Sequence, residues 1–110
     1  MITKDELVNI LKSLDIPVNE GVTANFNINK YPRIVFWDYA WEDQNASDEV
    51  YNTIVTYQIS FYAKKPRDEN LIKLKKKLNE NKIFPLINHE YVEKDKIFHS
   101  FMRIDILEDL

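Results

Sequence analysis

Apolar and polar positions alternate along the fifteen residues from Glu49 to Ala63, EVYNTIVTYQISFYA. Tyr51, Val55, Tyr57, Ile59 and Phe61 fall on one side, interrupted by Thr53, and Asn52, Thr56, Gln58 and Ser60 fall on the other. A period of two is that of a strand with one buried face. At ~3.3 Å per residue such a strand reaches roughly 50 Å. A compact domain of this length has a radius of gyration of about 13 Å and is roughly 35 Å across. The strand therefore bends sharply or carries its first third out of the body as an arm. An arm bearing aromatic side chains needs a covering surface, and a neighbouring subunit is the natural one.

The remaining elements follow from the same reading. Thr3-Lys4-Asp5-Glu6 fits a capping box, in which the Thr3 hydroxyl accepts from the Glu6 amide and Glu6 reaches back to the Thr3 amide. Ile2 and Leu7 are placed as a hydrophobic staple, and Leu7, Ile10, Leu11 and Leu14 form the stripe of a helix ending before Pro17. Asn19-Glu20-Gly21 reads as a turn, and the alternation of Val22, Ala24, Phe26 and Ile28 as a short strand broken by Tyr31-Pro32. Arg33–Glu42 reads as a strand apolar on both faces, with Ile34 and Phe36 on one and Val35, Trp37, Tyr39 and Trp41 on the other. A strand of that kind is normally sandwiched between layers. The polar run 43–48 is the tip joining it to the long strand. Lys64–Asp68 leads into a second helix with Leu71, Leu74 and Leu78 buried, ending at 79–81. Ile83–Val92 and Ile97–Leu107 are read as a closing hairpin, with Pro85 tolerated near a strand start. In the last strand Phe98, Met102, Ile104 and Ile106 face one way and His99, Phe101, Arg103 and Asp105 the other. The expected fold is a single α+β domain over 1–110: a mainly antiparallel sheet with a long projecting hairpin and two helices packed on one face.

Composition removes several function classes. Cysteine is absent, which excludes disulfides, thiolate metal sites and thiol nucleophiles. Gly21 is the single glycine, so phosphate-cradling and dinucleotide loops, which need several, are missing. The net charge of −3 argues against a dedicated nucleic-acid binder. No apolar run approaches the ~20 residues of a membrane span, and MITKDELVNIL lacks the basic start and apolar middle of a signal peptide.

Four constellations remain. His89 and His99 would approach each other if the last two strands pair, with Glu90 or Asp105 completing a metal or acid–base cluster. Two histidines across a hairpin are more commonly plain strand-surface residues. Asp38, Glu42, Asp43, Asp48 and Glu49 gather carboxylates near the hairpin tip, in a spacing that matches no known cation loop and suits a basic partner surface better. Lys73, Lys75, Lys76 and Lys77 form the wet side of the second helix rather than a phosphate-binding stripe. Trp37, Tyr39 and Trp41 are the most informative, because tryptophan and tyrosine concentrate in interface cores. With Asp43, Asp48 and Tyr51 they make the expected subunit or partner interface; no catalytic residue, cofactor or metal is assigned.

Tyr-Pro-x-Ile-Val-Phe at 31–36, Asp48-x-x-Tyr51, Thr-Tyr-Gln-Ile-Ser-Phe-Tyr-Ala-Lys-Lys at 56–65, the leucine–lysine helix and Glu-Tyr-Val-Glu-Lys-Asp-Lys-Ile-Phe at 90–98 form an overall pattern. It resembles the small tail terminator or head–tail joining proteins of long-tailed bacteriophages and prophages of low-GC Gram-positive bacteria. The likeness runs from about Tyr31 onward and contains no catalytic motif. It implies a non-enzymatic virion protein, assembled in the host cytoplasm and placed at the tail–neck junction. Such a protein forms a homo-oligomeric ring, commonly a hexamer. The ring caps the major tail tube protein, stops its polymerisation and presents its other face to a neck or head-completion protein. DNA passes through the ring without specific binding. A neck adaptor or minor tail component of the same cluster is the alternative, and a small metal-dependent hydrolase using His89, Glu90 and His99 a remote one.

Overall fold

The computed structural model describes residues 1–46 and 49–110, the side chains of 45–51 aside. Two helices, α1 (Lys4–Lys12) and α2 (Glu69–Glu80), accompany five strands: β1 (Val18–Glu20), β2 (Arg33–Ala46), β3 (Glu49–Ala63), β4 (Asn88–Val92) and β5 (Ile97–Glu108). The strands form one sheet in the order β1-β2-β3-β5-β4, antiparallel except for the short parallel pair β1–β2. Both helices bury their leucines against one face of it, so the architecture is the expected α+β. The molecule measures 51 × 28 × 22 Å with a radius of gyration of 15.0 Å, above the roughly 13 Å of a compact chain of this size.

Helix α1 starts where its cap dictates. The Thr3 hydroxyl oxygen accepts from the Glu6 amide at 3.1 Å, and the hydroxyl donates to Glu6 Oε1 at 3.2 Å in place of the expected carboxylate bond to the Thr3 amide. Ile2 and Leu7 are both buried. Helix α2 is capped by the buried Asp68, whose Oδ1 accepts from the Asn70 amide at 2.9 Å. At its other end Lys82 takes a left-handed φ of 62°, and the Ile83 amide closes back on the Leu78 carbonyl at 2.9 Å. That turn sends residues 83–87 back beneath the helix as irregular chain, with Ile83 and Ile87 against the core. The strand expected from Ile83 therefore begins only at Asn88, and Pro85 lies outside it.

The strand expected over 22–28 is absent. Its alternation has no partner: the Asn19 side chain accepts from the Ala24 amide (3.3 Å) and from Asn27 Nδ2 (3.1 Å), winding the segment into a turn with a 3-10 stretch at Asn25–Asn27. Val22 and Phe26 are left exposed. The pairing strand is instead Val18–Glu20, which overlaps the Asn19–Gly21 segment read as a turn.

The core lies between helices and sheet. Ile34 and Phe36 of β2, Val55, Tyr57, Ile59 and Phe61 of β3, and Met102, Ile104 and Ile106 of β5 meet Leu7, Leu11, Leu71, Leu74 and Leu78. The opposite face closes over its base with its own side chains. Arg33 stacks between Tyr31 (4.6 Å) and Tyr62 (4.8 Å), and Tyr62 stacks on His99 (4.6 Å). His99 Nδ1–H donates to Glu90 at 2.8 Å. This row crosses four strands, and Val35 and Ser60 on the same face are buried.

Candidate functional site

The hairpin of β2 and β3 outgrows its neighbours. β1 pairs only with Ile34–Phe36 of β2, so from Trp37 onward β2 has no second partner strand among the described residues. β5 follows β3 only as far as Thr53, opposite Glu108. β2 continues to Ala46, further than the expected end at Glu42, so most of the run read as a tip is strand.

A β-bulge at Tyr39 decides which way the distal residues face. Asp38 pairs with Tyr57 and Ala40 with Thr56, leaving Tyr39 as the extra residue and reversing the alternation beyond it. The expected single face of Trp37, Tyr39 and Trp41 is therefore divided. Trp37, opposite Gln58, stays half-buried on the face away from the helices. Tyr39 lies on that same face beneath the Arg103 guanidinium, 4.3 Å from ring centre to Cζ, and is 49% exposed. Trp41, opposite Val55, turns to the helix face at a level where it is 65% exposed. Its Nε1–H donates to Asp38 Oδ2 at 2.6 Å, which fixes the ring along the strand edge.

Asp43 accepts from the Thr53 hydroxyl at 2.9 Å, a cross-strand bond that holds the ribbon in register. Asp38, Glu42 and Gln44 are exposed beside it. Asp48 lies outside the described residues, and Tyr51 lies within β3 with its side chain outside them. The structure thus brings Tyr39, Trp41, Asp38, Glu42 and Asp43 onto one edge, with Trp37 behind it. Asp38 and Arg103 are the members that residue spacing does not single out as partners of these aromatics; the i, i+3 distance of Asp38 and Trp41 acquires meaning only through the bulge.

Tyr57 lies opposite Asp38, two residues beyond the last β1 pairing at Phe36. It is buried, and its hydroxyl donates to Glu108 Oε2 at 2.9 Å. Burial, reinforced by the Glu108 carboxylate, pushes its pKa well above the usual tyrosine value. Lys4 reaches the same region, paired with Glu20 at 2.9 Å and lying 5.8 Å from the Tyr57 ring centre.

The histidines are not brought into one cluster with Glu90. β4–β5 pairing places His89 opposite Ser100, where its Nδ1 lies 2.7 Å from the Ser100 hydroxyl, and Glu90 opposite His99 on the other face of the sheet. Neighbouring strand residues point to opposite faces, so His89 cannot join the pair. Among the described residues no three histidine, aspartate or glutamate side chains converge as a metal site would require. No helix among them is long and apolar enough to cross a membrane. No protein-family model matches the chain, and no curated protein matches it either.

Proposed function

We propose that this chain is a non-enzymatic virion assembly subunit, a tail terminator whose ring caps a bacteriophage tail tube, ends its polymerisation and joins the tail to the neck of the head. The observation that carries the assembly part is the distal edge of β2, where Tyr39 and Trp41 stand exposed on a strand with an open hydrogen-bonding side. An exposed, aromatic edge strand is a hazard for a protein that stays alone and an asset for one that associates. The pattern of residues 31–98 supports the phage setting. A slight acidity suits a ring that passes DNA without gripping it, since basic lumens hold phosphate.

In this reading the partners are further copies of the chain, the tube protein and a neck or head-completion protein, at the tail–neck junction. Electron microscopy of tails assembled without the chain tests it. Tubes of uncontrolled length that fail to join heads are expected. Tubes of normal length joined to heads would refute it, and normal tubes left unjoined would move the chain to the neck adaptors.

A further inference from the structure

The distal edge of β2 has a counterpart at the other side of the sheet. Where α2 passes over residues 83–87, Leu71, Ile72, Leu86 and Ile87 line a groove of about 520 Å3 together with Arg67 and Lys75. Ile72 and Leu86 are exposed, and no carboxylate lines the groove among the described residues. Arg67 and Lys75 have no ion-pair partner among the described residues. The β2 edge is the converse: Tyr39 and Trp41 are exposed amid Asp38, Glu42 and Asp43. One surface is apolar with cations, the other aromatic with anions.

Within one copy the two cannot meet. Trp41 shares a row with Val55 and Ile106, whereas His89, beside the groove, shares one with Ser100. Ser100 to Ile106 is roughly 20 Å of strand at ~3.3 Å per residue. The β2 edge and β4 also lie at opposite margins of the sheet, with β3 and β5 between them.

We infer that the groove between α2 and residues 83–87 receives the Trp41 edge of a second copy, the indole against Ile72 and Leu86 and the Asp38 and Asp43 carboxylates, which share the face of Trp41, toward Arg67 and Lys75. Each copy then offers a donor edge on one margin and an acceptor groove on the other. Such a contact is heterologous, repeats head to tail and closes as a ring when the rotation allows. Charges of opposite sign at the rim set orientation and encounter rate, while the buried aromatic provides most of the affinity. The inference builds on the assembly reading above by naming the surfaces through which copies meet.

The absence of cysteine makes the test direct. Glu42→Cys and Lys75→Cys are made as separate chains, mixed, and treated with a short bis-maleimide. A head-to-tail contact gives the mixed dimer in large excess over either like-with-like dimer. Sedimentation equilibrium then follows the weakening: Trp41→Ala raises the dissociation constant roughly thirtyfold or more, the range of an interface hot spot. Lys75→Glu raises it by about three- to fivefold. Equal like-with-like cross-linking, an association unmoved by Trp41→Ala, or a chain that stays monomeric without mixed cross-links would each overturn the inference. Circular dichroism melting of every variant separates lost association from lost folding. Because these readouts use the purified chain, they are independent of tail length. A monomeric chain that still terminates tails would sink this contact alone. A head-to-tail contact in a chain without effect on tails would sink the phage role alone.

Discussion

The rows Ile34–Phe61–Ser100 and Trp41–Val55–Ile106 cross the same three strands at different heights. In the first, all three residues are buried. In the second, Val55 and Ile106 are fully buried while Trp41 is 65% exposed. The central strands are therefore sheltered along both rows, and the difference is confined to β2. Near Ile34 that strand is flanked by β1, but by Trp41 it has become an edge. Along these two rows the exposed apolar surface is thus a property of one margin of the sheet, not of a whole finger. The exposed edge is accordingly narrow and stiff, held by the Trp41–Asp38 and Thr53–Asp43 bonds.

The largest effect that separates the rows is on stability. Phe61→Ala should destabilise the fold by about 3–5 kcal/mol, the range for emptying a buried phenylalanine site. Urea unfolding monitored by circular dichroism measures it.

Next comes Tyr57, buried in the same sheltered strand. The raised pKa of Tyr57 means that the folded chain keeps its phenolic proton where the unfolded chain loses it. The associated stability is fully present below the ordinary tyrosine pKa near 10 and is lost as pH rises beyond it toward the folded value. Stability should decline by up to about 1.4 kcal/mol per pH unit above pH ~10 from this one group. Tyr57→Phe should remove that part of the decline in urea titrations across the same range.

A smaller change tests the bulge. Deleting Tyr39 joins Asp38 to Ala40 while leaving Ala40 opposite Thr56, so Trp41 keeps its face. The expected cost is about 1 kcal/mol, from the lost stack on Arg103 and the local rearrangement. A cost several times larger would mean that the bulge shapes the whole hairpin. Smallest of all, Trp41→Ala should shift the stability of the dilute chain by no more than about 0.5 kcal/mol, as expected for an exposed position. A loss comparable with that of Phe61→Ala would erase the distinction between the two rows.

Much of the architecture was legible because local signals and tertiary packing agree. Thr3 and Asp68 cap the helices they precede, Leu71, Leu74 and Leu78 are buried together, and the alternation of β3 and β5 maps onto buried and open faces. The misreadings share a cause: alternation is informative only where a partner strand exists. Val22, Ala24, Phe26 and Ile28 alternate, but Asn19 draws the segment into a turn. Ile83 starts an apolar stretch, yet the left-handed Lys82 steers it under α2. The division of Trp37 from Trp41 was hidden for a different reason. One inserted residue, Tyr39, reverses every face beyond it, and a bulge of this kind carries no glycine or proline to announce it. The cation–aromatic row Tyr31–Arg33–Tyr62–His99 was equally invisible, since Arg33, Tyr62 and His99 are distant in sequence and meet only through strand register.

The central claim is that the Trp41 edge is open in a single copy and covered when copies meet. Replacing Trp37 with phenylalanine leaves Trp41 as the sole tryptophan, so its fluorescence can be followed from dilute to concentrated solution. Emission typical of a water-exposed indole at low concentration, moving to shorter wavelength as copies associate, is the predicted result. Emission that stays unchanged while sedimentation shows oligomers forming would place the contact elsewhere and contradict the account.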